Sequence, residues 1–161
     1  MYQTTIEIEA AEVDTVAVLQ DLAQVNIDCR EGCQEVAYKF RDVVVSNLCR
    51  EMALIHNANF WELCTLLGSN TKPPLVDHPA APGRFRLLSE VRKVLQDAPS
   101  RLLTEIDRAE QFAESRYDHA LRNLRDAPIT ALLRRQGTAI VAKHDCVHEL
   151  LEPTLAADGA N

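Results

Sequence analysis

Four stretches of roughly 25 residues in which apolar side chains return every third or fourth position constrain this chain more than any other feature. The first covers about 14–39, with Val18, Leu19, Leu22, Val25, Cys29, Cys33, Val36 and Phe40 on one stripe. The second, about 43–67, follows Asp42, a side chain suited to capping a helix N-terminus, and carries Val44, Leu48, Met52, Ile55, Asn59, Leu63 and Leu66 up to Gly68. The third, about 99–125, opens on Pro99, which a first helical turn tolerates, and presents Leu103, Ile106, Glu110, Ala113, Tyr117, Leu121 and Leu124. The fourth, about 128–151, presents Ile129, Leu132, Leu133, Gln136, Ile140, His144, Val147 and Leu151, and Pro153 is expected to end it. At 1.5 Å per residue each helix is about 38 Å long, so all four can share one core.

The remaining segments are short. Residues 69–82, SNTKPPLVDHPAAP, hold four of the seven prolines and cannot continue a helix, so they form a crossing loop. A short helix is predicted at about 84–95, on Phe85, Leu88, Val91, Val94 and Leu95. Residues 1–10 read as an arm and 154–161 as a frayed tail, both flexible. The first and second long segments are joined by a few residues, as are the third and fourth, so each pair is antiparallel. The connection of roughly 30 residues between the pairs is long enough to travel the whole bundle. The expected architecture is therefore a single all-α domain over 1–161, an antiparallel four-helix bundle with a long crossover containing a short extra helix. An up-down-up-down bundle with an elaborate surface loop is the competing topology.

Charge narrows the partners. Lys and Arg number 17 against 24 Asp and Glu, and a net charge of −7 without a basic stripe argues against gripping a phosphate backbone. No apolar run approaches the roughly 20 residues that span a bilayer, and no segment has signal-peptide form. Five cysteines without CxxC spacing fit reduced thiols. The expectation is a cytoplasmic protein with neither nucleic acid nor membrane as partner. Self-association is left open, because such a bundle can pair through an exposed stripe.

Several motifs resemble a family of bacterial ferritin-like four-helix-bundle proteins of uncharacterised function. They are VLQDL (18–22) with Asp28, Gly32, Glu35 and Ala37 in the first segment, and WEL (61–63) in the second. Asp107, Arg108, Glu110 and 117–121 follow in the third, then LLRRQ (132–136) and the pair His144, Asp145 in the fourth. The resemblance covers most of the chain and implies the ferritin-like bundle and a prokaryotic cytoplasmic setting, with no established reaction. Dinuclear iron sites of such folds use a carboxylate on each of two helices and a Glu-x-x-His pair on the other two. Here the first segment shows Arg30 near the level of the expected carboxylate, with Cys29 and Cys33 facing the core, and the second offers His56 and Asn59. A standard di-iron centre is not expected.

Polar residues on the apolar stripes carry whatever chemistry the chain has. Glu110 falls inside its stripe, where a carboxylate must be paired, hydrogen-bonded, protonated or metal-bound. His144 holds the same kind of position, and His56, Asn59 and Glu62 lie on or beside the stripe of the second segment. Counted from a common end of the bundle, Cys29, Cys33, Glu110, His144, His56 and Asn59 fall within roughly 15 Å along the axis. One reading is a metal site for Fe, Zn or Mn, with Glu110 and His144 as ligands completed by His56, Glu62 or Glu114. The other is a buried hydrogen-bond network, Glu110 to His144 or His56 with Asn59 and Tyr117, that fixes helix register.

Other candidates carry less. Asp145-x-x-His148 imitates the spacing of metal helices but sits at the stripe's edge, and reads first as a solvated pair. His78 reads as a surface residue. Cys29 and Cys33 read as small core groups ahead of a soft ligand or redox pair. Phe60 and Trp61 read as cover for the bundle seam or the crossover helix. No Gly-rich phosphate loop, Ser-His-Asp ordering or HExxH motif occurs, and no small-molecule substrate or catalytic residue is identifiable. The functions in competition are a non-enzymatic, stress-associated bundle with a buried polar network, a metal-binding ferritin relative, and a bundle with a small-molecule cavity in its core.

Overall fold

The computed structural model describes residues 14–68 and 86–160. Among them the regular elements are five helices, α1 (Thr15–Lys39), α2 (Val43–Leu67), α3 (Leu87–Val94), α4 (Pro99–Asn123) and α5 (Ala127–Gly159). Three starts share one device: Asp14, Asp42 and Asp126 accept hydrogen bonds from the backbone N–H groups of Ala17, Val45 and Ile129 at 3.1, 3.0 and 3.0 Å. α4 instead begins on Pro99, whose missing N–H would have had no helical partner. α2 ends at Gly68, whose φ of 86° is the positive value that glycine adopts most easily.

The predicted boundaries of the first three long helices hold to within two residues, and the last one does not. α5 runs through Pro153 to Gly159, so 154–159 is helix where a frayed tail was expected. Proline leaves the carbonyl four residues back without its N–H. That residue, Glu149, is exposed, so its carbonyl can turn to water. Beyond the proline, Thr154 donates its hydroxyl to the Leu150 carbonyl at 2.7 Å, and Ser100 of α4 donates to Asp158, which ties the extension to the bundle. The short helix starts at Leu87, later than position 84; residues 84 and 85 lie outside the described ones, as do the 1–10 arm, the 69–82 loop and His78.

Side-chain pairs fix how the helices run. Arg116 of α4 meets Asp21 of α1 at 2.7 Å, and Tyr117 meets Asn26 at 2.8 Å. Arg135 of α5 meets Glu62 of α2 at 2.8 Å, and Lys143 meets Glu51, so α5 descends as α2 rises. Tyr117 with Gln136 and Asp107 with His144 show the same opposition between α4 and α5. The long helices thus stand in the ring order α1, α2, α5, α4, each packed on its two neighbours. α3 lies on α1 and α4, and Gly32 permits the approach: a methyl group there would run into the Leu87 side chain.

Leu22, Leu63, Leu102, Leu103, Leu133 and Ile140 fill the centre, each at most 1% exposed. Burying such side chains contributes about 1.5–3 kcal/mol apiece before conformational entropy is charged against it. That surplus matters here because polar groups occupy the same layer. Among the described residues, no helix is long and apolar enough to cross a membrane.

Candidate metal centres

A chain of hydrogen bonds crosses the core and touches all four long helices. Asn26 of α1 donates its amide to the Leu22 carbonyl at 2.8 Å. A carbonyl can only accept, so this contact identifies the NH2 group and leaves the amide oxygen facing His56 Nδ1, 2.9 Å away. His56 Nδ1 therefore carries a proton. The other ring nitrogen, Nε2, lies 3.0 Å from Glu110 Oε1. Either the imidazole is neutral and a protonated Glu110 donates to it, or an imidazolium donates to a carboxylate; one proton lies between them in both cases. The other oxygen of Glu110, Oε2, is buried and has no hydrogen-bond partner among the described residues.

From Asn26 the chain continues outward. Its amide also donates to the Tyr117 hydroxyl at 2.8 Å, and that hydroxyl donates to Gln136 Oε1 at 2.8 Å. Gln136 Nε2 donates to Glu62 Oε2 at 2.8 Å, and Arg135 holds the opposite oxygen of Glu62. Burial pushes the Tyr117 hydroxyl well above the usual phenol range against the opposing pull of Asn26, so it stays protonated and keeps its donor. Burial also raises Glu62, but hydrogen bonds from Gln136 and Arg135 outweigh it and leave the carboxyl below its ordinary value.

Cys29 Sγ, His56 and Glu110 offer ligand atoms all within 4.8 Å of one another. Burial, then the charges of Glu110 and Asp28, push the Cys29 thiol far up, so it is a thiol and not a thiolate. Cys33 is raised by its hydrogen bond with Cys49 and by burial. Both cysteines are buried core groups, as the sequence indicated.

A second cluster stands at the α4–α5 seam. His144 Nε2 lies 2.7 Å from Asp107 Oδ1, and His144 Nδ1 lies 2.6 Å from Glu114 Oε1. His148 Nε2 is 3.3 Å from the same oxygen of Asp107, and the two imidazole rings are 4.5 Å apart. Residues 144 and 148 are one helical turn apart and so share a face. Asp107, His144 and His148 place three ligand atoms within 4.8 Å. His148 is 46% exposed, and Glu114 lines a groove with Leu121, Arg134 and Val141, so solvent reaches this centre. Burial would lower His144, but the hydrogen bonds to Asp107 and Glu114 outweigh it and hold the imidazole above its ordinary value.

The five residues put forward as metal ligands are thus divided among three places. Glu110 meets His56 in the core, His144 meets Glu114 at the seam, and Glu62 ends the hydrogen-bond chain beside Arg135. Glu110 and His144 have different partners. Asn59 contributes its backbone carbonyl to Gln136. His148 turns to Asp107 and His144 in place of Asp145, which is exposed. Arg30 lies over the Phe60 ring and donates to Asn57, while Phe60 is buried and Trp61, packed on its edge, is 56% exposed.

Asn26, Asp107 and Gln136 are polar groups to which the sequence reading gave no role in a site. Each lies on or next to an apolar stripe, so periodicity marks it as inward without naming its partner. No protein-family model matches the chain, and no curated protein matches it.

Proposed function

We propose that this chain is a ferritin-like helical bundle that binds a divalent transition-metal ion at the α4–α5 seam, with Asp107, His144 and His148 as ligands. One observation carries the reading. Two imidazoles and a carboxylate converge, and the non-ligating nitrogen of His144 is held by Glu114, the carboxylate–histidine arrangement that orients metal-bound imidazoles. Two histidines and one carboxylate suit Zn or Fe and leave further coordination positions open. The ring order α1, α2, α5, α4, with a long connection between the pairs, supports the ferritin-like topology. The role is one of binding, and the seam supplies no group assigned to a reaction.

Elemental analysis of protein purified without chelator tests the reading. The native chain is expected to carry one equivalent of metal more than an Asp107→Ala, His144→Ala variant that keeps the native helical circular dichroism. Glu114→Gln leaves all three ligands and is expected to weaken binding about 10–100-fold. Equal metal content in the native chain and the double variant would remove the proposal.

A further inference from the structure

The seam cluster leaves a different group unexplained: a carboxylate oxygen at the centre of the core with no hydrogen-bond partner among the described residues. Glu110 is 0% exposed, and an unsatisfied polar atom at that depth costs about 1–3 kcal/mol, more when charged. A fold that merely needed an acid to meet His56 could have paired the second oxygen as well.

We propose that Cys29 Sγ, His56 Nε2 and Glu110 form a second metal site, buried between α1, α2 and α4 and selective for a thiolate-preferring divalent ion such as Zn2+. Three features of the structure support it. The donor atoms lie within 4.8 Å of one another and come from three helices. Asn26 accepts the Nδ1 proton of His56, so the lone pair of a neutral ring lies on the Nε2 side, toward Glu110. Glu110 has an oxygen to spare for the ion.

Charge balance makes the exchange compatible with burial. Without metal, the His56–Glu110 pair and the thiol are together neutral and hold two exchangeable protons, one between the pair and one on sulfur. Binding M2+ forms M–S, M–N and M–O bonds and releases those two protons to solvent. The product, one doubly charged cation with a thiolate, a carboxylate and a neutral imidazole, is again neutral. No net charge enters the core, which is the condition for an ion to be tolerated there. Because the ligands are shielded from solvent, loading takes place as the chain folds around the ion.

Cobalt(II) separates this site from the seam, whose ligands include no sulfur. The full chain is unfolded in denaturant with a reductant that does not bind metal, and refolded with Co2+. A near-ultraviolet thiolate-to-cobalt charge-transfer band is expected, and in His148→Ala it should saturate at one equivalent with two protons released per ion. The band is expected to vanish in Cys29→Ser and to persist in His148→Ala, which disables only the seam. Cys29→Ala, an apolar replacement suited to a buried position, guards against misfolding of the serine variant. Absence of the band in the refolded native chain would overturn the proposal, and so would a band that survives both Cys29 substitutions in folded protein. Neither result bears on the seam, where binding is read by His148→Ala and Asp107→Ala.

Discussion

His56 and His144 are both imidazoles on the inner faces of a helical bundle, yet their surroundings differ. His56 has an amide oxygen on one nitrogen and a single carboxylate on the other, and both it and Glu110 are buried. His144 stands between two carboxylates at a seam that solvent reaches through the half-exposed His148. The first arrangement is neutral and costly to interrupt. The second concentrates negative charge around an imidazole, which favours a cation, be it a proton or a metal ion. One fold thus offers two histidine centres of different accessibility and donor softness.

Interrupting the core should have the largest effect. Glu110→Ala strands His56 and is expected to cost about 3–5 kcal/mol in urea denaturation of metal-free protein. Replacing both Glu110 and His56 by leucine should recover at least half of that loss, because no unpaired ionic group is left. A Glu110→Ala cost below about 1 kcal/mol would mean that the core pair is not held as described. Tyr117→Phe comes next. It leaves an Asn26 proton and Gln136 Oε1 without their shared partner, and should cost about 1–2 kcal/mol by the same measurement.

The seam should respond differently. In the presence of chelator, His148→Ala is expected to change stability by less than about 0.5 kcal/mol, as for a surface position. A cost like that of the core variant would erase the distinction between the two centres. The smallest effect concerns pH. Glu62 is held below the ordinary glutamate value of 4.5, so its contribution is complete above that value and is lost as pH falls through the lower folded one. Glu62→Gln should therefore flatten the acid limb of the stability–pH curve. An unchanged limb would show that Gln136 and Arg135 do not hold the carboxylate.

Helix positions were legible in the sequence because their signals are local: the aspartate cap at 42, Pro99 at a first turn, Gly68 past a last one. Pro153 misled because its cost depends on whether the abandoned carbonyl can reach water, which only the packed structure decides. Inward polar residues were legible too, but their partners were not. Asp107 and Glu114 flank Glu110 by one turn on either side and lie roughly 50° round the helix from it at 100° per residue. That rotation sends Glu110 toward α2 and its neighbours toward α5. A depth count along the axis carries no such angular information, so it merges two centres into one layer. Cys29 appeared as core filler because its two companions come from α2 and α4, far away in sequence.

The most direct test of the seam centre is a long-range nitrogen–proton NMR spectrum of the histidine rings, recorded while native metal-free protein is titrated with Zn2+. Nε2 of His144 and Nε2 of His148 should move together and saturate at one equivalent, with His144 Nδ1 keeping its proton and donating it to Glu114. If both rings are unmoved at one equivalent, or only one of them shifts, the seam does not hold a metal ion in the way proposed.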